Sequence, residues 1–118
     1  FRGGVIPYDS MLKHDLLGVD VATLASSGAV SAEVAIAMAE GAQQRLGVDL
    51  AGATTGVAGP DPDPVSGASP GVAFIAVAGG GLGTLVRELA LDGDRAEIRQ
   101  RATRAALQAL RDGLATRE

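Results

Sequence analysis

The chain alternates between short apolar runs, which predict strands, and amphipathic stretches, which predict helices. Residues 72–78 form an unbroken apolar run, the pattern of a central strand that is buried on both faces of a sheet. Residues 50–55 are small and largely apolar and predict a second buried strand. Residues 84–91 predict a third strand that pairs antiparallel with the central one through the glycine turn at residues 79–81. Arg87 and Glu88 are neighbours in the third strand and therefore point to opposite faces of the sheet. With a charge on each face, this strand is expected at an exposed edge.

Four helices are predicted from apolar residues that recur every three or four positions and from cap residues. Ser31 is the N-cap of the clearest helix, which ends at Gly47. Asp94 and Glu97 have the spacing of a capping box at the start of the last helix. The remaining predicted elements are a short strand over residues 3–8 and two short helices over residues 11–17 and 21–25.

Strands with helices before and after them predict an α/β fold, which we expect to be a three-layer α/β/α sandwich with a mixed sheet. The hairpin makes at least one pair of strands antiparallel. With 118 residues, the chain is expected to form one domain over residues 1–118.

The second strand leads into the loop Thr55-Gly56-Val57-Ala58-Gly59-Pro60. Glycines let a backbone turn sharply and bring its N–H groups close to a ligand. A strand that ends in hydroxyls and glycines commonly presents a small-molecule site in α/β proteins. The alternative, from these residues alone, is a tight loop that binds nothing.

Composition narrows the class of protein. Ten basic and fourteen acidic residues give a net charge of −4, which argues against a nucleic-acid-binding surface. The chain has no cysteine, so disulfides, thiolate catalysis and Cys-ligated zinc are excluded within it. No apolar run approaches the roughly 20 residues of a membrane span and no signal peptide opens the chain, so we expect a cytoplasmic protein without a membrane partner.

Few side chains are candidates for chemistry. Lys13 follows Tyr8 by five residues, so a phenol and an ammonium can face one opening. A lysine acts as a general base when burial lowers its pKa; the alternative is a solvated surface lysine. Arg95 lies at a helix start, where backbone N–H groups favour an anion, and Arg99 extends this positive region. Salt bridges are the alternative for both arginines.

Three further polar residues are assigned to no site. His14 is the only histidine, and we expect it at the surface because one histidine cannot make a metal site. Asp61 and Asp63 have the chemistry to hold a cation, but their alternation with proline is more typical of a rigid turn. We therefore predict no metal.

Four short motifs follow one another along the chain, and their order indicates a protein family more specifically than any single motif does. They are Phe1-x-Gly3-Gly4-Val5-x-x-Tyr8 with Lys13, then Gly28-Ala29-Val30-Ser31-x-Glu33-Val34-Ala35, then Thr55-Gly56-Val57-Ala58-Gly59-Pro60, and Gly93-Asp94-Arg95. In this order the chain resembles the CinA C-terminal domain family, the nicotinamide-nucleotide amidases of the PncC type, over residues 1–110.

The resemblance implies a hydrolase that converts the carboxamide of nicotinamide mononucleotide to nicotinate mononucleotide and ammonia, in pyridine nucleotide recycling. It implies a small-molecule nucleotide substrate and no metal or organic cofactor. The residues that match the family's functional positions are catalytic Lys13 and Tyr8 and substrate-binding Thr55, Gly56, Gly59 and Arg95.

One part of the family pattern is missing. The family's nucleophile is a serine in a Glu-Ser-Cys-Thr-Gly-Gly-like stretch near the start of the domain, and residues 1–118 contain no such stretch. We expect the domain to be N-terminally incomplete, with the serine segment present in the native protein. The alternative is an inactive relative, serving as a nucleotide-binding or partner module of a competence- or damage-inducible protein.

The small size of the apolar side chains predicts self-association. The chain is 47% hydrophobic but only 3% aromatic, so each residue buries little area, and a further copy can cover the apolar surface that remains. We expect a homodimer or a larger homo-oligomer in sedimentation velocity at micromolar concentration. A monomer under those conditions would contradict this prediction.

Overall fold

The computed structural model describes residues 1–80 and 83–117. Within these ranges, three strands form one sheet in the order β1–β2–β3, and four helices accompany it. The strands are β1 (Leu50–Gly56), β2 (Val72–Gly79) and β3 (Leu85–Ala90). The helices are α1 (Ser10–Leu17), α2 (Val21–Ser27), α3 (Ala32–Leu46) and α4 (Arg95–Arg117). None of these helices is long and apolar enough to cross a membrane.

The apolar run forms the central strand, as predicted. β1 pairs with one side of β2, where Thr55 lies opposite Phe74. β3 pairs with the other side, where Arg87 lies opposite Ile75. Residues 75–78 are all buried, so both faces of β2 are covered.

The two faces of β2 are covered by different helices. Ala35 of α3 packs in one buried cluster with Ala76 and Ala78. On the other side, α4 approaches so closely that a Cβ on Gly113 would lie 3.1 Å from Val77 Cγ1. Because even- and odd-numbered residues of a strand point to opposite faces, the sheet lies between α3 and α4. The predicted α/β class and the three layers are confirmed.

The sheet itself differs from the mixed sheet that we expected. Both pairs of strands are antiparallel, and the described strands contain no parallel pair. A parallel pair needs a crossover connection, which is usually a helix. Instead, β1 and β2 are joined by a loop over residues 57–71, and β3 follows after residues 80–84, of which 81 and 82 lie outside the described part.

The predicted short strand at residues 3–8 is also wrong. This segment has no regular secondary structure. Pro7 lacks the N–H group that a ladder would use, and Asp9 directly afterwards ends the segment as the N-cap of α1.

The predicted helix caps are confirmed. Ser31 Oγ accepts a hydrogen bond from the Val34 N–H at 3.3 Å. The Glu97 N–H donates to Asp94 Oδ1 at 2.9 Å, and the Asp94 N–H donates to Glu97 Oε1 at 3.1 Å. This reciprocal pair is a capping box, and it fixes the start of α4 beside the end of β1.

Helix α1 is held against α3 by a close backbone contact. A Cβ on Gly41 of α3 would lie 1.8 Å from the Leu17 carbonyl oxygen, so only glycine fits at that position. The Arg45 guanidinium adds a hydrogen bond of 3.1 Å to the Leu16 carbonyl. These contacts fix the position of α1, the helix that carries Lys13.

We expect Gly41→Ala to lower the free energy of unfolding by about 1–3 kcal/mol, the usual cost of overpacking. The sign of this change distinguishes a crowded position from an open one, because replacing glycine by alanine in an open helix interior would raise the free energy of unfolding by about 1 kcal/mol. Urea denaturation measures the change. Gln44→Ala, at an exposed position of the same helix, is the matched control and should stay within about 0.5 kcal/mol of the parent. Unchanged stability in Gly41→Ala would contradict the contact.

Candidate active site

The end of β1 opens into a cleft of about 720 Å³ between α1, the loop after β1 and the start of α4. Its lining residues come from four separated parts of the chain. All six residues that the sequence singled out are among them: Tyr8, Lys13, Thr55, Gly56, Gly59 and Arg95. The fold therefore brings the predicted set together, and the catalytic and binding roles of its members stay predictions.

Lys13 is buried at the wall of this cleft. Only 8% of its surface is exposed, and its Nζ donates a hydrogen bond of 3.1 Å to the Pro7 carbonyl. Burial lowers the pKa of the Lys13 ammonium, and the nearby Asp9 carboxylate partly opposes this by raising it. The alternative of a solvated surface lysine is thereby excluded. Lys13 is also the only lysine in the chain.

Tyr8 lies at the mouth of the cleft. Its side chain is 87% exposed, although it lines both the main cleft and a smaller hollow of about 390 Å³ beside Lys13 and Thr55. An exposed ring at the mouth can contact a bound ligand or a neighbouring segment of protein.

Thr55 closes the inner end of the cleft. Its side chain is 8% exposed, and its Oγ1 donates to the Ala29 carbonyl at 2.6 Å. Since its hydrogen is committed to Ala29, the oxygen has only lone pairs left, and Thr55 can accept a hydrogen bond from a ligand N–H group.

Close packing also explains why two positions of the loop after β1 are glycines. A Cβ on Gly56 would lie 2.9 Å from Val72 O and 2.9 Å from Ala73 Cβ. Gly59 has φ of +87°, a conformation that favours glycine, and a Cβ there would lie 2.9 Å from Pro70 Cβ. The glycines thus let the loop approach β2 and turn back over the cleft.

The two arginines at the start of α4 differ in their contacts. Arg95 Nη1 donates to the Gly59 carbonyl at 2.7 Å. Arg99 lines the same cleft, but its guanidinium makes no hydrogen bond or ion pair within residues 1–80 and 83–117. The ion pairs in the described part of the chain involve other arginines, so the salt-bridge alternative holds for neither residue there.

Two of the remaining polar candidates, Asp63 and His14, have partners within the structure. Asp63 Oδ2 accepts from both the N–H and the Oγ of Ser66 at 2.7 Å, and these hydrogen bonds lower the pKa of the Asp63 carboxyl. This supports the rigid-turn interpretation. His14 is partly exposed, as expected of a surface residue, and its Nδ1 lies 2.8 Å from the Val19 carbonyl. No three His, Asp or Glu side chains among the described residues are grouped as metal ligands.

Sequence reasoning missed a second hollow, which adjoins the cleft on the α4 side of β1. Its volume is about 290 Å³, and Thr54, Arg99 and Thr103 line it. The alternation of side chains along a strand carried the signal, because Thr54 must point to the face opposite to Thr55. That face is covered by the last helix.

A titration of Lys13 tests its environment. We expect the Lys13 side chain, observed by NMR with labelled lysine, to lose its proton at a pH below the ordinary pKa of lysine, because burial disfavours the charged form. Asp9→Asn should lower this pKa further by removing a stabilising negative charge, while asparagine still caps α1.

Asp15→Asn is the matched control, because Asp15 also lies on α1 but is not among the causes of the Lys13 shift. An ordinary lysine titration in the parent protein, or an equal change with both variants, would contradict this description of the site.

Comparisons with known proteins agree with the motif order. A model of the CinA C-terminal domain family matches residues 1–114. A CinA-like protein of Frankia casuarinae is 46% identical over an alignment of 118 residues, which covers 98% of this chain and 26% of that protein. A CinA-like protein of Mycobacterium marinum is 45% identical over 112 residues, covering 95% and 26%. The chain thus spans about a quarter of the length of these relatives.

Solved structures show the same fold. The competence/damage-inducible protein CihA of Agrobacterium tumefaciens superposes with a TM-score of 0.82 at 36% identity, over 90% of this chain and 64% of that one. The competence damage-inducible protein A of Klebsiella pneumoniae superposes with a TM-score of 0.87 at 30% identity, over 95% of this chain and 68% of that one. On these matches, the chain belongs to the CinA C-terminal domain family.

Proposed function

We propose that the cleft takes part in hydrolysis of the carboxamide of nicotinamide mononucleotide, which yields nicotinate mononucleotide and ammonia. The observation that carries the proposal is the burial of the only lysine in the wall of a cleft that also contains Thr55 and Arg95. A perturbed lysine pKa in a cleft is typical of functional sites. Membership of the CinA family supports the same class of chemistry.

The proposed reaction uses Lys13 as a proton carrier. A serine attacks the carboxamide carbon, and its proton passes to the neutral Nζ of Lys13. The tetrahedral intermediate then breaks its C–N bond, and Lys13 returns the proton to the leaving nitrogen, which departs as ammonia. Water hydrolyses the acyl-enzyme ester, and Lys13 again accepts a proton and returns it to the serine oxygen.

The nucleophile is the part of the proposal that residues 1–118 do not supply. They lack the Glu-Ser-Cys-Thr-Gly-Gly-like stretch of the family, and the Thr55 hydroxyl is committed to Ala29. The proposed reaction therefore requires a serine from outside these residues.

Each remaining cleft residue has a role that its contacts allow. Desolvation of Lys13 favours the neutral amine that a general base must present. Thr55 Oγ1, with only lone pairs available, is suited to accept a hydrogen bond from the carboxamide NH₂ group. Arg95 fixes the loop over the cleft through the Gly59 carbonyl. Tyr8, at the mouth, is suited to contact the bound nucleotide.

A second function is a nucleotide-binding or partner module without catalysis. The observation that favours it is the hydrogen bond from Thr55 Oγ1 to the Ala29 carbonyl, because a hydroxyl held in this way can accept a hydrogen bond from a ligand but is not free to act as a nucleophile. Such a module would bind nicotinamide mononucleotide without releasing ammonia. Measuring binding and ammonia release on one sample separates the two functions.

In the protein that the gene encodes, Lys13→Ala should lower the turnover number for ammonia release from nicotinamide mononucleotide by about 10²-fold or more, the low end of what a positioned general base contributes. Arg111→Ala is the matched control, because Arg111 is an exposed residue farther along α4 and does not line the cleft. Full turnover in Lys13→Ala would refute the mechanism. Ammonia release by neither the parent nor the variants would favour the binding module.

A further inference from the structure

The loop side of the cleft and the adjoining hollow are lined by residues of different charge. The loop side of the main cleft carries the carboxylates of Asp61 and Asp63, and the hydrogen bonds from Ser66 lower the pKa of the Asp63 carboxyl. The adjoining hollow on the α4 side has no acidic lining residue, and Arg99 is its only charged one among the described residues. On the loop side the two carboxylates lie beside the Arg95 guanidinium, whereas in the hollow a cation stands without a carboxylate, so the hollow is the more favourable place for a negatively charged ligand group.

Of the two arginines in the cleft, Arg99 is the one whose guanidinium N–H groups can donate to a ligand. Arg95 already directs one N–H at the Gly59 carbonyl, which turns its guanidinium toward the loop. Arg99 has no such partner in the part of the chain that the structure describes, and it lines both the cleft and the hollow. A guanidinium presents its donors in a fork that matches phosphate oxygens.

We propose that Arg99 binds the phosphate group of the nucleotide in the hollow lined by Thr54, Gly56 and Thr103. This inference rests on the proposed function, whose substrate is a phosphorylated nucleoside, and it adds a specificity-determining residue that the motifs do not contain. The resemblance implied substrate binding by Thr55 and Arg95, whereas the hydrogen bond from Arg95 to the Gly59 carbonyl makes Arg95 a positioning residue for the loop.

The arrangement of β1 makes the two assignments compatible. Thr55 points to the α3 side of the sheet, where Lys13 lies, and Thr54 points to the α4 side, where Arg99 lies. A nucleotide that lies across the end of β1 would place its carboxamide beside Lys13 and Thr55. Its phosphate would then reach Thr54 and Arg99 on the other side.

The test compares nicotinamide mononucleotide with nicotinamide riboside, which lacks the phosphate. In the protein that the gene encodes, Arg99→Ala should raise the Michaelis constant for the mononucleotide by about 10-fold or more, the scale of a lost charge-assisted hydrogen bond. The same variant should leave kcat/KM for the riboside within about twofold of the parent. Arg99→Lys, which keeps the charge, should restore part of the preference for the mononucleotide.

Two comparison variants separate phosphate binding from structural damage. Arg95→Ala should lower kcat/KM for both compounds to a similar extent, because the Gly59 loop serves both. Arg111→Ala, at an exposed position of α4 outside the cleft and the hollow, should change neither. The inference is overturned if Arg99→Ala affects the two compounds equally, if it affects neither, or if the loss specific to the mononucleotide appears only in Arg95→Ala.

Titration calorimetry makes the result independent of catalysis. If the parent protein releases no ammonia, the proposed hydrolysis fails, and Arg99 is then judged by binding alone. A parent that binds the mononucleotide more tightly than the riboside, with this difference lost in Arg99→Ala, supports the phosphate contact. A parent that binds both compounds equally, or neither, overturns it.

Discussion

The close approach of the helices to the sheet is the constraint on which the cleft depends. Alanines of α3 meet alanines of β2, and on the other face Gly113 brings α4 into contact with Val77. Small side chains at these contacts let the backbone elements approach closely. As a result, the end of β1, the first turns of α4 and the N-terminal part of α1 all border one opening.

The same close packing explains why a lysine is buried in a chain with so few large side chains. Gly41 lets the end of α1 lie directly on α3, which fixes the helix and places Lys13 against the wall of the cleft. The Pro7 carbonyl then satisfies one of its donors. An amine with this environment is biased toward its neutral form, and a neutral amine is what the proposed proton transfer requires.

Local patterns predicted the elements of the fold well. The apolar run became the central strand and the Asp94–Glu97 spacing became a capping box, because both depend on residues close in sequence. The direction of strand pairing was predicted wrongly in part. A parallel pair of strands requires a crossover connection, which is usually a helix, and the loop between β1 and β2 contains no helix.

The site could be predicted as a set of residues but not as a set of contacts. The family motifs identified Lys13, Thr55 and Arg95 as candidate site residues, and all three line one cleft in the structure. Thr55 and Ala29 are 26 residues apart, and Arg95 and Gly59 are 36 apart, so no local pattern could reveal that their donors are committed. The proposed roles of Thr55 as an acceptor and of Arg99 as the phosphate-binding cation depend on these long-range contacts of Thr55 and Arg95.

The central claim is that Lys13 lies beside the carboxamide of a bound pyridine nucleotide. Because it is the only lysine in residues 1–118, modification by an amine-directed reagent can be followed on a single peptide by mass spectrometry. Saturating nicotinamide mononucleotide should slow the modification of Lys13 severalfold, while the reactivity of the terminal amino group stays unchanged. An unchanged rate at Lys13, under conditions where calorimetry shows the nucleotide to be bound, would contradict the account.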